Sequence, residues 1–318
     1  MATVKFRFFS GSYKTKRASH RLRGELMAAA LRELGHDASA SGGLLDMESG
    51  TIAIFLKLSQ PEHILQAKSQ GAIAVYDLCD NKFSEKPEYV PCCQAADIIT
   101  VNSDAMAESV RVNTGRHSVV IPDPYERPEL TPAFDPGKTI RLLWFGGGSS
   151  LKFFPMIEVW QRLEREIKDY EFTMITAKAD RVKHKQLERQ NRGTYSGINF
   201  NKLRFHEWNW DLQGELLANT DIVLMPVDTN HYRTETKSAN RLIDGVMSGK
   251  FVITSPLDSY REFDPYTWQT DFITGIQWAR NNPSEVLERI QLGQDYTRKN
   301  YSPKVIAQRW LEVFNGKS

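Results

Sequence analysis

Cysteine is nearly absent from this chain of 318 residues, with only Cys79, Cys92 and Cys93 present. An adjacent pair plus one is neither a disulfide framework nor a zinc spacing, and a reducing cytoplasm is the expected setting. Long apolar runs are missing too. The N-terminal "MATVKFRFFSGSYKTKR" is too short in its apolar part for a secretion signal, and no stretch is long enough to span a bilayer. The expectation is a cytoplasmic protein, peripheral at most on the inner face of a membrane. Net charge is only +2, so binding to nucleic acid or an anionic surface has to be argued from local clusters. No D-x-D pair of the kind that suits magnesium occurs, so neither a metal nor another cofactor is expected. Short repeats and low-complexity tracts are also missing.

What is present is the mix of a globular protein, 41% hydrophobic and 25% charged, in a chain long enough for two ordinary domains. "TVKFRFF" reads as a strand. "SHRLRGELMAAALRELGHD" places Leu22, Leu26, Ala29, Ala30 and Leu34 at helical spacing, with Ser19 to cap its start and Gly35 its end. "TIAIFL", "PEHILQAKSQG" and "AIAVYDLCD" continue as strand, helix, strand, and "DIITVNS", "DAMAESVRVNTG" and "HSVVIP" repeat the alternation. That order predicts a parallel sheet. Five prolines then interrupt the pattern between Pro122 and Thr139. A second α/β series opens at "IRLLWFGGGSS" and runs to the strand "KFVITSP"; the last helix, "SPKVIAQRWLEVF", carries apolar residues to bury on something already folded. The predicted organisation is two tandem Rossmann-like domains, residues 1–125 and 140–300, with a linker at 126–139 and a crossing helix at 301–318.

Two such domains facing one another leave a cleft at the carboxyl ends of their strands, where open α/β sheets bind ligands. Three of the loops there are unusual. After the first strand come Gly11 and Ser12, then Lys14, Lys16, Arg17, His20, Arg21 and Arg23 with no acid among them. After the first strand of the second series come Gly146, Gly147, Gly148 and Ser149, with Lys152 close behind. Glycine amides at a strand exit approach phosphate oxygens, although a tight turn alone would use the same residues. Ahead of a late helix stands "TETKSANRLIDG", in which Lys237 and Arg241 are four apart. On one helix they would share a face and clamp one anion; the plain alternative is a solvated basic face paired with Glu235 or Asp244.

The order of "RLLWFGGGSSLKFF", "DIVLMPV", "KSANRLIDGVMSGKFVITSP" and "YREF" resembles the donor half of GT-B glycosyltransferases, in particular glycosyltransferase family 4. "RLRGELMAAALRELGHD", "YDLCDNKF" and "ADIITVNSDAMAESV" are similar to parts of that family's first domain. The resemblance implies a nucleotide-diphosphate sugar, UDP-sugar foremost, as donor, with its diphosphate at the glycine turn. It also implies transfer with retention and without metal. Lys237 and Arg241 would then stabilise the departing diphosphate, and Glu235, Thr236, Ser238 and Asp244 would line the donor. One departure is that the family's first glutamate has no match in register, since Thr236 stands eight before Asp244 and Glu235 is one place off.

On the acceptor side His20, Asp77 and Asp80 are candidates to orient a hydroxyl, with Asp77 preferred and His20 read as a surface histidine. The expected acceptor is a surface glycan or glycolipid. A DNA base is the alternative, because basic stretches carry Tyr13, Tyr195, Trp208 and Trp210 among their cations. An epimerase or a sensor of nucleotide sugars on the same fold is the reading from outside transfer chemistry.

Overall fold

The computed structural model describes residues 3–11, 18–43, 47–147, 156–177, 179 and 199–315. They fall into two units. The first comprises Met1–Glu126, Glu235–Asn240 and Arg298–Ser318; the second comprises Arg127–Thr234 and Arg241–Thr297.

In the first unit, strands β1 (Lys5–Phe9), β2 (Asp37–Ser41), β3 (Ile52–Leu56), β4 (Ile73–Leu78), β5 (Ile98–Val101) and β6 (Val119–Val120) form one sheet in the order β2-β1-β3-β4-β5-β6. Every pairing is parallel. β3 is buried at every position, as a central strand covered on both faces must be, and "IAIFL" is apolar throughout for that reason. β2 has no counterpart in the sequence reading. Its "DASAS" carries no apolar alternation because it is an edge strand with only Ala38 buried. The short helix Tyr89–Ala95 was hidden by Pro91, which sits in its first turn, where a missing N–H breaks no helical bond. Between Ala18 and Glu33 the chain is helical, with a π-helical segment at Arg21–Glu25.

The C-terminal helix Pro303–Asn315 belongs to this same unit. Its Ile306, Ala307 and Trp310 enter the core formed by Phe6, Phe8, Met27, Leu31 and Ile54. Trp310 meets Phe8 edge-on with ring centroids 5.7 Å apart, and Phe314 meets Phe6 at 5.8 Å.

In the second unit β7 (Ile140–Phe145), β8 (Tyr170–Thr176), β9 (Leu203–Glu207), β10 (Ile222–Met225) and β11 (Phe251–Thr254) form a parallel sheet in the order β11-β10-β7-β8-β9. Trp144, Trp160, Phe172, Leu224, Ile253 and Ile276 lie in its core. The proline-rich segment is extended, as its composition requires, and from Arg127 on it is fastened to this unit. Leu130 N–H donates to the Met247 carbonyl at 2.9 Å, Ala133 N–H to Gly249 at 3.2 Å, and the Gln294 amide to Leu130 at 2.8 Å.

Trp310 supplies a large fully buried side chain at the end of the sequence, so its loss should act on the first unit's core. Trp310→Ala is expected to cost about 3–5 kcal/mol, read as a shift of the urea midpoint, while an exposed control on the same helix, Glu312→Ala, should change stability by under ~0.5 kcal/mol.

Candidate active site

β7 stands in the middle of its sheet, so its exit opens at the centre of the carboxyl edge. The residues there are Phe145, Gly146 and Gly147. Arg241, the second residue of the helix Asn240–Met247, reaches back to this point and donates from Nη1 to the Phe145 carbonyl at 3.1 Å. The same guanidinium explains the first glycine. A Cβ on Gly146 would lie 2.8 Å from Arg241 Nη1 and 3.0 Å from the Trp144 ring, so the glycine serves close approach. Tyr260, in the short helix Asp258–Phe263, is fully buried near the guanidinium. Burial pushes its phenol pKa up, against the opposing pull of Arg241. The exits of β10 and β11 are tied together as well: Val227 N–H donates to Ser255 Oγ at 3.0 Å, and the Ser255 hydroxyl returns a bond to the Val227 carbonyl at 3.1 Å.

The structure thus brings two separate sequence features, the glycine turn and Arg241, to one place. Lys237, however, does not share the helix that carries Arg241. The helix starts at Asn240, Lys237 precedes it in irregular chain, and residues 235–240 group with the first unit. The shared helical face predicted for Lys237 and Arg241 is therefore corrected. Glu235 is exposed at the end of the helix Tyr232–Glu235, Thr236 is buried, and Ser238 is half-buried. Asp244 is buried in the middle of its helix. Gly148, Ser149 and Lys152 lie outside the described residues, as do Ser12, Lys14, Lys16 and Arg17 on the acceptor side. A separate hollow of about 440 Å³ beyond β11 is lined by Leu257, Asp258, Arg261, Trp268, Gln269 and Arg289; none of the predicted site residues faces it.

In the first unit the preferred base, Asp77, is 1% exposed and has both oxygens engaged. Arg23 forks onto it, Nε to Oδ2 and Nη2 to Oδ1, each at 2.6 Å, and the Thr100 hydroxyl donates to Oδ1 at 2.7 Å. Arg23 Nη1 also reaches Asp123 Oδ1 at 2.9 Å and the Ile121 carbonyl at 2.8 Å. Burial alone would lower the Arg23 pKa; Asp77 first, then Asp123, reverse this and hold the guanidinium charged. Asp77 is a structural counterion, and its assignment as acceptor base is corrected.

His20 is not at the surface either, being buried with Nε2 3.3 Å from Glu25 Oε1. Arg21 forks onto Glu126 at 2.8 and 3.0 Å. The described part of the basic stretch is thus largely neutralised within its own unit. Asp80 keeps a more open position and accepts from Lys57 Nζ at 2.7 Å, with Lys82 Nζ 3.7 Å from the same oxygen. Gly11 closes the β1 exit with φ +62°.

The aromatic residues proposed to stack on a base have other duties. Trp208 Nε1 donates to Gln213 at 2.6 Å, and the Trp210 ring lies under the Arg127 guanidinium at 3.4 Å. Tyr13 and Tyr195 lie outside the described residues. No cluster of three or more His, Cys, Asp or Glu side chains able to hold a metal stands among the described residues, and no described helix is long and apolar enough to cross a membrane.

Sequence reasoning passed over Tyr260 as a neighbour of Arg241, although the "YREF" that contains it carried part of the resemblance. It also passed over Arg23 and Asp123, whose partnership spans a separation no periodicity reports.

No protein-family model and no curated protein sequence matches this chain. Solved structures do. Anabaena Alr3699/HepE, determined with UDP and glucose, superposes with a TM-score of 0.69 at 12% identity over 98% of this chain and 99% of its own. The lipopolysaccharide outer core galactosyltransferase WaaB gives 0.66 at 11% over 99% and 100%. Sucrose-phosphate synthase from Thermosynechococcus elongatus gives 0.66 at 8% over 98% of both chains. The chain also matches S. aureus TarM, of which it spans 55%. Together with the two parallel sheets, these likenesses show the fold to be GT-B.

The buried cluster and the Arg241 contact should separate cleanly in a stability measurement. Arg23→Met leaves Asp77 and Asp123 buried without their cation and is expected to cost about 3–5 kcal/mol by urea denaturation. Arg241→Met removes a partly exposed bond to one carbonyl and should cost under ~1.5 kcal/mol. Equal losses in the two variants would contradict the assignment of Arg23 as structural and Arg241 as free to serve a ligand.

Proposed function

We propose that the chain is a glycosyltransferase that takes a sugar from a UDP-sugar and passes it to a hydroxyl of a glycan or glycolipid. The observation that carries this reading is the Arg241 guanidinium, held on the Phe145 carbonyl over Gly146 at the centre of the second sheet's carboxyl edge. A glycosyl donor breaks at a bond to diphosphate, so negative charge gathers on the leaving group in the transition state. A planar cation fixed at the glycine turn counters that charge as it grows. Arg241, Gly146 and Gly147 form this part of the site; Gly148, Ser149 and Lys152 extend it, and Asp244 contacts the ribose. HepE's complex with UDP and glucose supports the donor class, and WaaB's description as a galactosyltransferase of the lipopolysaccharide outer core supports a glycan acceptor.

Membership in glycosyltransferase family 4, retention, and a reaction that needs neither metal nor another cofactor complete the reading, on the strength of the motif order. The enzyme would act in the cytoplasm or on the inner face of a membrane. No observation favours a DNA acceptor, since Trp208 and Trp210 are occupied within the protein.

Three measurements test this. UDP at a hundred times its dissociation constant should stabilise the chain by about 2.7 kcal/mol in a thermal-shift series across nucleoside diphosphates, and no response to any of them would remove the donor assignment. Arg241→Ala should retain the fold and lose ~100-fold in kcat, whereas near-normal turnover would leave the leaving group without its proposed partner. Turnover should also survive EDTA; loss of activity restored by manganese or magnesium would replace the cation-only mechanism with a metal-assisted one.

A further inference from the structure

The backbone of the first unit carries an unusual commitment at the exit of β3. Lys57, a residue with a Cβ, adopts φ +53°, a left-handed conformation that is unfavourable in a lysine. Its surroundings hold it there. Lys57 N–H donates to the Asp77 carbonyl at 3.0 Å, and the carbonyl of the next residue, Leu58, accepts the Tyr76 hydroxyl at 2.6 Å. On the other side Gly11 presses on Leu58 so closely that a Cβ would stand 2.2 Å from Leu58 Cδ2. The result is a fixed placement of the Lys57 ammonium on Asp80 Oδ2 at 2.7 Å, with Lys82 Nζ 3.7 Å from that same oxygen. Two ammoniums against one carboxylate leave a net positive charge, partly open to solvent.

Beside them, at the exit of β5, Asn102 is 5% exposed. Its Nδ2 donates to the carbonyl of Cys79, the residue before Asp80, at 3.3 Å, while its Oδ1 is buried with no hydrogen-bond partner among the described residues. A salt bridge that served stability alone would need neither a strained lysine, nor a second one, nor an amide oxygen left without a donor.

We infer that Lys57, Lys82 and Asn102 form a subsite for an acceptor carrying an anionic group, phosphate or carboxylate, next to a hydroxyl that donates to Asn102. The ammoniums take the anion, the amide oxygen takes the hydroxyl, and Asp80 holds both lysines in place between occupancies. Burial would raise the Asp80 pKa, but Lys57 and Lys82 more than offset it, so this carboxylate stays charged while it does so. The inference rests on the glycosyl-transfer reading and narrows the acceptor class within it.

The test is a binding titration of the full-length chain with glycerol 1-phosphate and glucuronate against their neutral parents glycerol and glucose, with inorganic phosphate as a separate arm. Each anion should bind at least about tenfold tighter than its parent, as expected of a charge-assisted contact, and inorganic phosphate alone should bind more weakly than glycerol 1-phosphate because it lacks the donor for Asn102. Lys57→Asn removes the ammonium and keeps a residue that tolerates the left-handed backbone. It and Lys82→Ala should each reduce the preference by several fold, and Lys82→Arg should restore most of it. Equal binding of anionic and neutral ligands, or a preference unchanged in both Lys57→Asn and Lys82→Ala, would overturn the subsite. Tighter binding of free phosphate than of glycerol 1-phosphate would do so too. UDP binding is measured in parallel on the same proteins. Its absence would remove the donor reading without touching the anion titrations, and its presence beside a missing anion preference would remove only this inference.

Discussion

All strands of a parallel sheet leave through the same edge, and everything assembled in this protein depends on that constraint. It gathers residues that the sequence scatters. In the first unit the exits of β1, β3, β4 and β5 bring Gly11, Lys57, Asp80 and Asn102 to one edge; in the second, the exits of β7, β10 and β11 do so for Gly146, Val227 and Ser255. The edge needs internal support because it carries polar groups on strands that are otherwise apolar. Arg23 supplies it in the first unit, joining Asp77 on β4 to Asp123 beyond β6 with one guanidinium. Its planar fork satisfies two carboxylates and a carbonyl at once, which a lysine in the same place could not do.

Cations at these edges divide by what surrounds them. Arg21 and Arg23 are matched by carboxylates of their own unit and hold the fold. Arg241 is held by a carbonyl, which positions a guanidinium without neutralising it. Lys57 and Lys82 share one carboxylate. Counting basic residues along the chain cannot make this distinction, because the deciding partner is remote in sequence: Glu126 for Arg21 and Phe145 for Arg241.

Much of the architecture was legible because fully buried parallel strands leave a plain trace: "IAIFL" and "DIVLM" could hardly be anything else. β2 was not legible, since an edge strand with a single buried side chain has little apolar signal to give. The glycine run pointed correctly to a strand exit, and the spacing of Lys237 and Arg241 pointed to a shared helix that begins three residues too late to include Lys237. Asp77 misled for a physical reason. A carboxylate near the end of a strand can face a ligand or a neighbouring helix, and only the position of Arg23, in the second turn of a helix with a π-helical segment, decides which. Lys57 left no trace at all, because a left-handed lysine looks like any other lysine until its backbone is seen.

The helix Pro303–Asn315 lends Ile306, Ala307 and Trp310 to a core otherwise made from the first third of the chain. On a ribosome that core stays incomplete until residues 306–310 have emerged. The second unit, continuous but for residues 235–240, has all of its own strands and helices available earlier. Synthesis therefore delays completion of the first unit's core until the second unit's strands have all been made, and until then the surface that Trp310 covers stays apolar and open in the nascent chain.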